Sequence, residues 1–135
     1  MAIFLSNDVQ VTLNAVDLTD HVTSASISRV FDELEVTAMG DTSHVFVKGL
    51  EASTITLDFL NDTATSNVLQ TLQDAWSTTV ALTLKQTDAA TSATNPLYST
   101  TVLVNNTTDI NGAVGDISTQ SITFTCNSPI VITTS

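Results

Sequence analysis

The sequence predicts an all-β fold with one flanking α-helix, an antiparallel β-sandwich or barrel, on three observations. Apolar and polar residues alternate with period two along most of the chain. Thr and Ser make up 39 of the 135 residues, an excess of small hydroxyl and β-branched side chains that suits strands. One stretch alone, between Asp62 and Trp76, has helical spacing. No composition break divides the chain, so residues 1–135 are expected to form a single domain.

Taken in order, Val9, Val11 and Leu13 alternate with polar neighbours. Asn14-Ala15 then turns the chain into Val16-Asp17-Leu18. Ala25 and Ile27 alternate with serines, and Leu34, Val36 and Ala38 with Glu33, Glu35 and Thr37. Ile55, Leu57 and Phe59 form the next apolar face, with Asp58 on its polar side. Ala64, Val68, Leu69, Leu72, Ala75 and Trp76 fall on one helical stripe, which Asp62 or Thr63 can cap. Val80, Leu82 and Leu84, then Val102 and Val104, then Ile122, Phe124 and Cys126 supply three more strands. One buried and one wet face per strand implies antiparallel pairing. Thr87 to Asn95 reads as a surface loop.

Charge narrows the function. The net charge is −11, and Arg29, Lys48 and Lys85 are the entire basic complement. Three cations cannot neutralise a run of phosphates, so nucleic-acid binding by counterion release is excluded. The same deficit argues against anionic lipid. No apolar run approaches the ~18–20 residues that span a bilayer. The opening residues lack a basic stretch, so no secretory leader is expected, and the sequons at Asn61, Asn105 and Asn106 carry no weight. Cys126 is the single cysteine and reads as a small buried hydrophobe.

No constellation supports catalysis or cofactor binding. Asp17-x-x-Asp20-His21 has no accompanying ligand cluster and reads as a solvated connection. His44 lacks a nucleophile or orienting partner. Asp109 to Asp116, with Asn111, Gly112 and Gly115, lacks the oxygen spacing and distal Glu of a calcium loop and reads as a hairpin turn. Phosphate loops, nucleophile elbows and dinucleotide fingerprints are missing from the sequence.

Three features point instead to assembly. Residues 39–52 read as an extended inter-subunit loop whose centre, Val45, Phe46 and Val47, is too apolar for a solvated connection; Met39, Gly40, Asp41, His44 and Leu50 belong to the same surface. The two arms, residues 1–8 with Ile3 and Phe4, and residues 129–135 with Ile130, Val131 and Ile132, are apolar and β-prone and need pairing internally or with a neighbour. Glu33, Glu35 and Asp58 lie on polar strand faces otherwise lined with Thr. If those strands pair, they form a smooth hydroxyl-and-carboxylate wall.

The strings VTLNAVDLTDHVTSASI, LEVTAMGDTSHVFVKGL and ASTITLDFLND, in that order, resemble the tail tube (major tail) proteins of long-tailed bacteriophages. VDLTDHV, TAMGDT and GLEASTITLDF carry the match, which spans Val9 to Trp76 and continues beyond it only in general strand pattern. The sequence departs at Asn14-Ala15, where Asn-Gly is expected, and no appended immunoglobulin-like domain is expected. The resemblance implies a virion tail protein assembled in the host cytoplasm. Its subunits close into hexameric rings, stacked as a tube that DNA passes through without specific binding. It implies other tail proteins as partners (tape measure, tail tip and terminator), a neighbour-reaching loop at 39–52, and Glu33, Glu35 and Asp58 lining the lumen. A capsid decoration or head–tail connector protein is the alternative. A carbohydrate-binding sandwich would need an aromatic platform, for which Trp76 and Tyr98 do not suffice.

Overall fold

The computed structural model describes residues 9–62, 64, 67–87 and 89–134. The N-terminal arm, with Ile3 and Phe4, lies outside the described residues. The described residues form ten strands and one α-helix: β1 Gln10–Leu13, β2 Val16–Asp17, β3 Val22–Ser28, β4 Phe31–Glu35, β5 Phe46–Glu51, β6 Thr54–Leu60, α1 Val68–Ala75, β7 Thr79–Lys85, β8 Leu97–Leu103, β9 Thr119–Cys126 and β10 Val131–Thr133. Eight of them form one antiparallel sheet in the order β2-β1-β7-β8-β9-β6-β3, with β10 also on β8. β4 and β5 pair with each other alone.

The period-two alternation has the expected consequence. Val11 and Leu13, Ile55, Leu57 and Phe59, Leu82 and Leu84, Val102, and Ile122 and Phe124 all turn to one side and are buried in a single core. Each removes roughly 1.5–3 kcal/mol worth of apolar side chain from water. Val68, Leu72 and Ala75 of α1 close that core.

The helix is shorter than its stripe. It starts at Val68 because the Asp62 carboxylate is used earlier: Oδ1 accepts the Ala64 N–H at 2.9 Å, and Oδ2 accepts Asn67 Nδ2 at 3.0 Å and bonds His21 Nε2 at 2.8 Å. Asp62 therefore shapes the lead-in rather than capping the helix. Trp76, expected on the stripe, is half exposed because the backbone turns extended there.

Asn14 (φ 52°) and Ala15 (φ 66°) both occupy the left-handed region, as a two-residue hairpin of this twist requires. The C-terminal segment pairs within the chain. β9 runs beside Val102–Leu103 and β10 beside Leu97–Ser99 on the same flank of β8, with Asn127–Ile130 kinked out between them. Ser128 Oγ fills the gap, accepting the Thr101 N–H at 3.1 Å. Ile130 is buried, while Val131 and Ile132 remain partly exposed.

Three expectations need correction. Residues 39–52 are not one long loop: Phe46–Glu51 is a strand, and the connection is residues 36–45. Nor do Glu33, Glu35 and Asp58 share a paired face, because β4 never meets β6; β6 lies between β3 and β9. Similarly, Asp109–Asp116 is not a tight turn but part of a long exposed connection between β8 and β9.

Candidate assembly surfaces

β4 and β5 are the distal half of one long hairpin. In β3–β6, Ser28 lies opposite Thr54. Ala52 N–H then donates to Val30 O at 2.6 Å, and Phe31 lies opposite Glu51. The register thus continues unbroken from the sheet into the pair. Beyond Glu51 the ribbon leaves the body as an arm of two strands.

A bulge opposite Asp32 shifts the pairing to Glu33 with Lys48 and Leu34 with Val47. Gly49 permits it: a Cβ there would meet the Asp32 Cβ and O at 2.9 Å. At the far end, Asp41 Oδ2 accepts the Ala38 N–H at 2.7 Å and Asp41 N–H returns to Ala38 O at 3.1 Å. Gly40 takes φ +94° between them, which fixes the tip as a closed turn.

The arm's two faces differ. Leu34 and Val47 pair across one face, followed by Val36 and Val45, joined by a 2.8 Å backbone bond. These four are 40–52% exposed, and the described chain offers nothing to cover them. A two-stranded ribbon of that length is at best marginal alone in water, and an exposed apolar row on it is a candidate contact surface. The other face carries Phe31, Glu33, Glu35, Phe46 and Lys48. Lys48 Nζ sits 5.7 Å from the Phe31 ring centroid. His44 Nδ1 lies 2.5 Å from Glu35 Oε2 and holds that carboxyl below its usual range, with Thr37 assisting. Of the sequence-predicted interface residues, Val45, Phe46, Val47 and His44 therefore gather on the arm, with Met39, Gly40 and Asp41 at its tip and Leu50 at its bulge. Ile130 does not join them.

The second surface is the outer side of β3, β6 and β9. Register lines up Ser24–Asp58–Ser121, Ser26–Thr56–Thr123 and Ser28–Thr54–Thr125. Eight hydroxyls and one carboxylate make a flat, small-residue face without a cation in it. Asp58 belongs to this face. By strand alternation along the ribbon, Glu33 and Glu35 point to its opposite side.

Sequence reasoning missed the connection 104–118, which exposes Ile110, Val114 and Ile117. It is anchored by buried Gln120, whose Oε1 accepts the Thr108 N–H at 3.2 Å and whose Nε2 donates to Asn61 Oδ1 at 3.2 Å. Isolated apolar residues in a polar stretch gave no periodic signal. His21, expected in a solvated connection, is instead part-buried against Asp62. The Ala64 N–H and His21 together hold the Asp62 carboxyl below its ordinary range.

Cys126 is half buried, and burial pushes its thiol up rather than activating it. Among the described residues, no three of His, Cys, Asp and Glu gather to hold a metal ion.

No family model and no curated protein matches the chain. Solved structures do. A chain of the virion of a native gene transfer agent particle superposes with a TM-score of 0.75 at 11% identity, covering 97% of this chain and 99% of that one. The fold is shared with chains of virion and injection-system particles. A chain from the sheath/tube terminator structure of an extracellular contractile injection system gives a TM-score of 0.72 at 14% identity, covering 98% and 97%. One from the baseplate of an anti-feeding prophage gives 0.58 at 9% identity, covering 99% and 98%. In all three the likeness covers at least 97% of this chain and at least 97% of the other.

Proposed function

We propose that the chain is a structural subunit of a virion tail, polymerising as stacked, hexameric rings into a hollow tube. The observation that carries this reading is the arm: a preorganised ribbon whose apolar row, Leu34, Val36, Val45 and Val47, has no cover among the described residues. Contact between that row and a different patch on a neighbour is heterologous, and heterologous contacts generate rings or open stacks. The fold likeness to tail-like particles supports the same reading.

In such a tube the hydroxyl face of β3, β6 and β9 lines the bore. Short Ser and Thr side chains leave it smooth, and Asp58, within a chain of net charge −11, repels phosphate. DNA then passes without binding. Of the three carboxylates expected in the lumen, Asp58 is the one this face carries. Tape measure, tail tip and terminator proteins are the partners at the tube's ends. The open edge of β3 pairs with a neighbouring subunit around the ring.

Electron microscopy of the purified protein across a concentration series tests this. Rings or uniform hollow tubes are expected. Monodisperse particles that instead decorate empty capsids would replace it with a capsid-decoration role.

A further inference from the structure

Two of the chain's three cations, Arg29 and Lys85, line one cleft. It measures about 400 Å³ and lies where β3 approaches the ends of β7, β8 and β10, with Ile27, Leu84, Tyr98 and Ile132 among its walls. An apolar floor with two cations in a chain carrying 14 carboxylates is a site for an apolar side chain next to an acid. Arg29 and Lys85 are not locked away. Among the described residues Lys85 Nζ donates to Ala89 O at 2.9 Å and meets no carboxylate. Glu51, in the field of Arg29, already serves Ser53 and Ile130 with its Oε2.

We infer that this cleft receives the arm tip of a second copy, with Met39 entering the apolar floor and the Asp41 carboxylate meeting Arg29 and Lys85. Met39 is 104% exposed, an unbranched, adaptable side chain held out on a fixed turn. Asp41 stands two residues on, and the Gly40 corner between them opens on empty space. The tip cannot serve its own cleft. Arg29 lies at the arm's root, and the eight residues from Phe31 to Ala38 carry the tip ~26 Å away at ~3.3 Å per residue. Root of one copy and tip of the next therefore meet head to tail. This rests on the tube reading and names the seat of its arm.

The test mixes two single-cysteine proteins, both carrying Cys126→Ser: one has Met39→Cys, the other Gln86→Cys on the cleft rim. Under oxidation a mixed disulfide dimer is expected, enriched in assembled material. Phe4→Cys or Ile110→Cys in place of Met39→Cys should capture Gln86→Cys far less. Preferential capture by either would overturn the inference and give the cleft to the N-terminal arm or to the 104–118 connection. Asp41→Asn keeps an acceptor for the Ala38 N–H while removing the charge, and should raise the critical concentration for assembly about tenfold. Arg29→Asp with Asp41→Arg should restore assembly that either change alone abolishes. Tubes that form without the cross-link would sink the seat and spare the tube. Absence of tubes at any concentration would sink the tube reading, and the cross-link at high protein concentration would still decide the seat.

Discussion

The Glu51 carboxylate accepts the backbone N–H of Ile130 at 2.9 Å, 79 residues further along the chain. Glu51 ends β5 at the arm's root, and Ile130 ends the kink that separates β9 from β10. The same oxygen takes the Ser53 hydroxyl at 2.9 Å, so the arm's exit from the sheet and the C-terminal strand are tied through one group.

Glu51→Ala should therefore act at a distance. Hydrogen exchange at Val131–Thr133 should speed up while the β6–β9 ladder stays protected. Unchanged exchange there would mean that pairing with β8 alone holds β10.

Ala15→Gly should stabilise the protein. Ala15 sits at φ 66°, where a Cβ is crowded and glycine is not. After subtracting the greater freedom of an unfolded glycine, the gain is about 0.5–1 kcal/mol, readable as a higher urea midpoint with unchanged slope. A lower midpoint would contradict the turn geometry.

Charging the arm should separate folding from assembly. Val45→Glu with Val47→Glu alters residues that are 40% and 46% exposed and that pack on no core element. The thermal midpoint of the monomer should hold within about 0.5 kcal/mol of equivalent stability, while rings and tubes disappear. Normal tubes from this variant would remove the arm from the interface.

Acid should weaken the monomer. Thr19 hydrogen bonds lower the Asp17 carboxyl, the Ile130 N–H lowers Glu51, and the Ala64 N–H and His21 lower Asp62. Folded-state values below the unfolded ones give stability that is fully present above the ordinary carboxylate range. That stability is lost as pH falls from the ordinary carboxylate range down through the lowered values. Asp62→Asn should flatten part of that slope in a melting series. An identical slope would show that Asp62 does not contribute to it.

The strands of the body were legible because each presents a clean alternation to one core: Val11 and Leu13, Ile55 to Phe59, Leu82 and Leu84, Ile122 and Phe124 all fall where the pattern puts them. The arm was legible as a surface but not as a structure. Among the described residues its strands bury neither face, so Leu34, Val36, Val45 and Val47 alternate with no core to face, and Phe46–Glu51 is interrupted by Lys48 and Gly49. The pairing of Glu33 and Glu35 with Lys48 and Phe46 rather than with the Asp58 strand is a matter of long-range register, which local periodicity does not encode. The late start of α1 depends on a carboxylate shared among Ala64, Asn67 and His21, a contact spanning 41 residues.

A cryo-electron microscopy reconstruction of the assembled protein tests the tube most directly. The expected map is a hollow tube with Ser26, Thr56, Asp58 and Thr123 facing the bore and Leu34, Val36, Val45 and Val47 buried against a neighbouring copy. An assembly with the hydroxyl face on its outer wall, or with the arm row open to solvent, would contradict it.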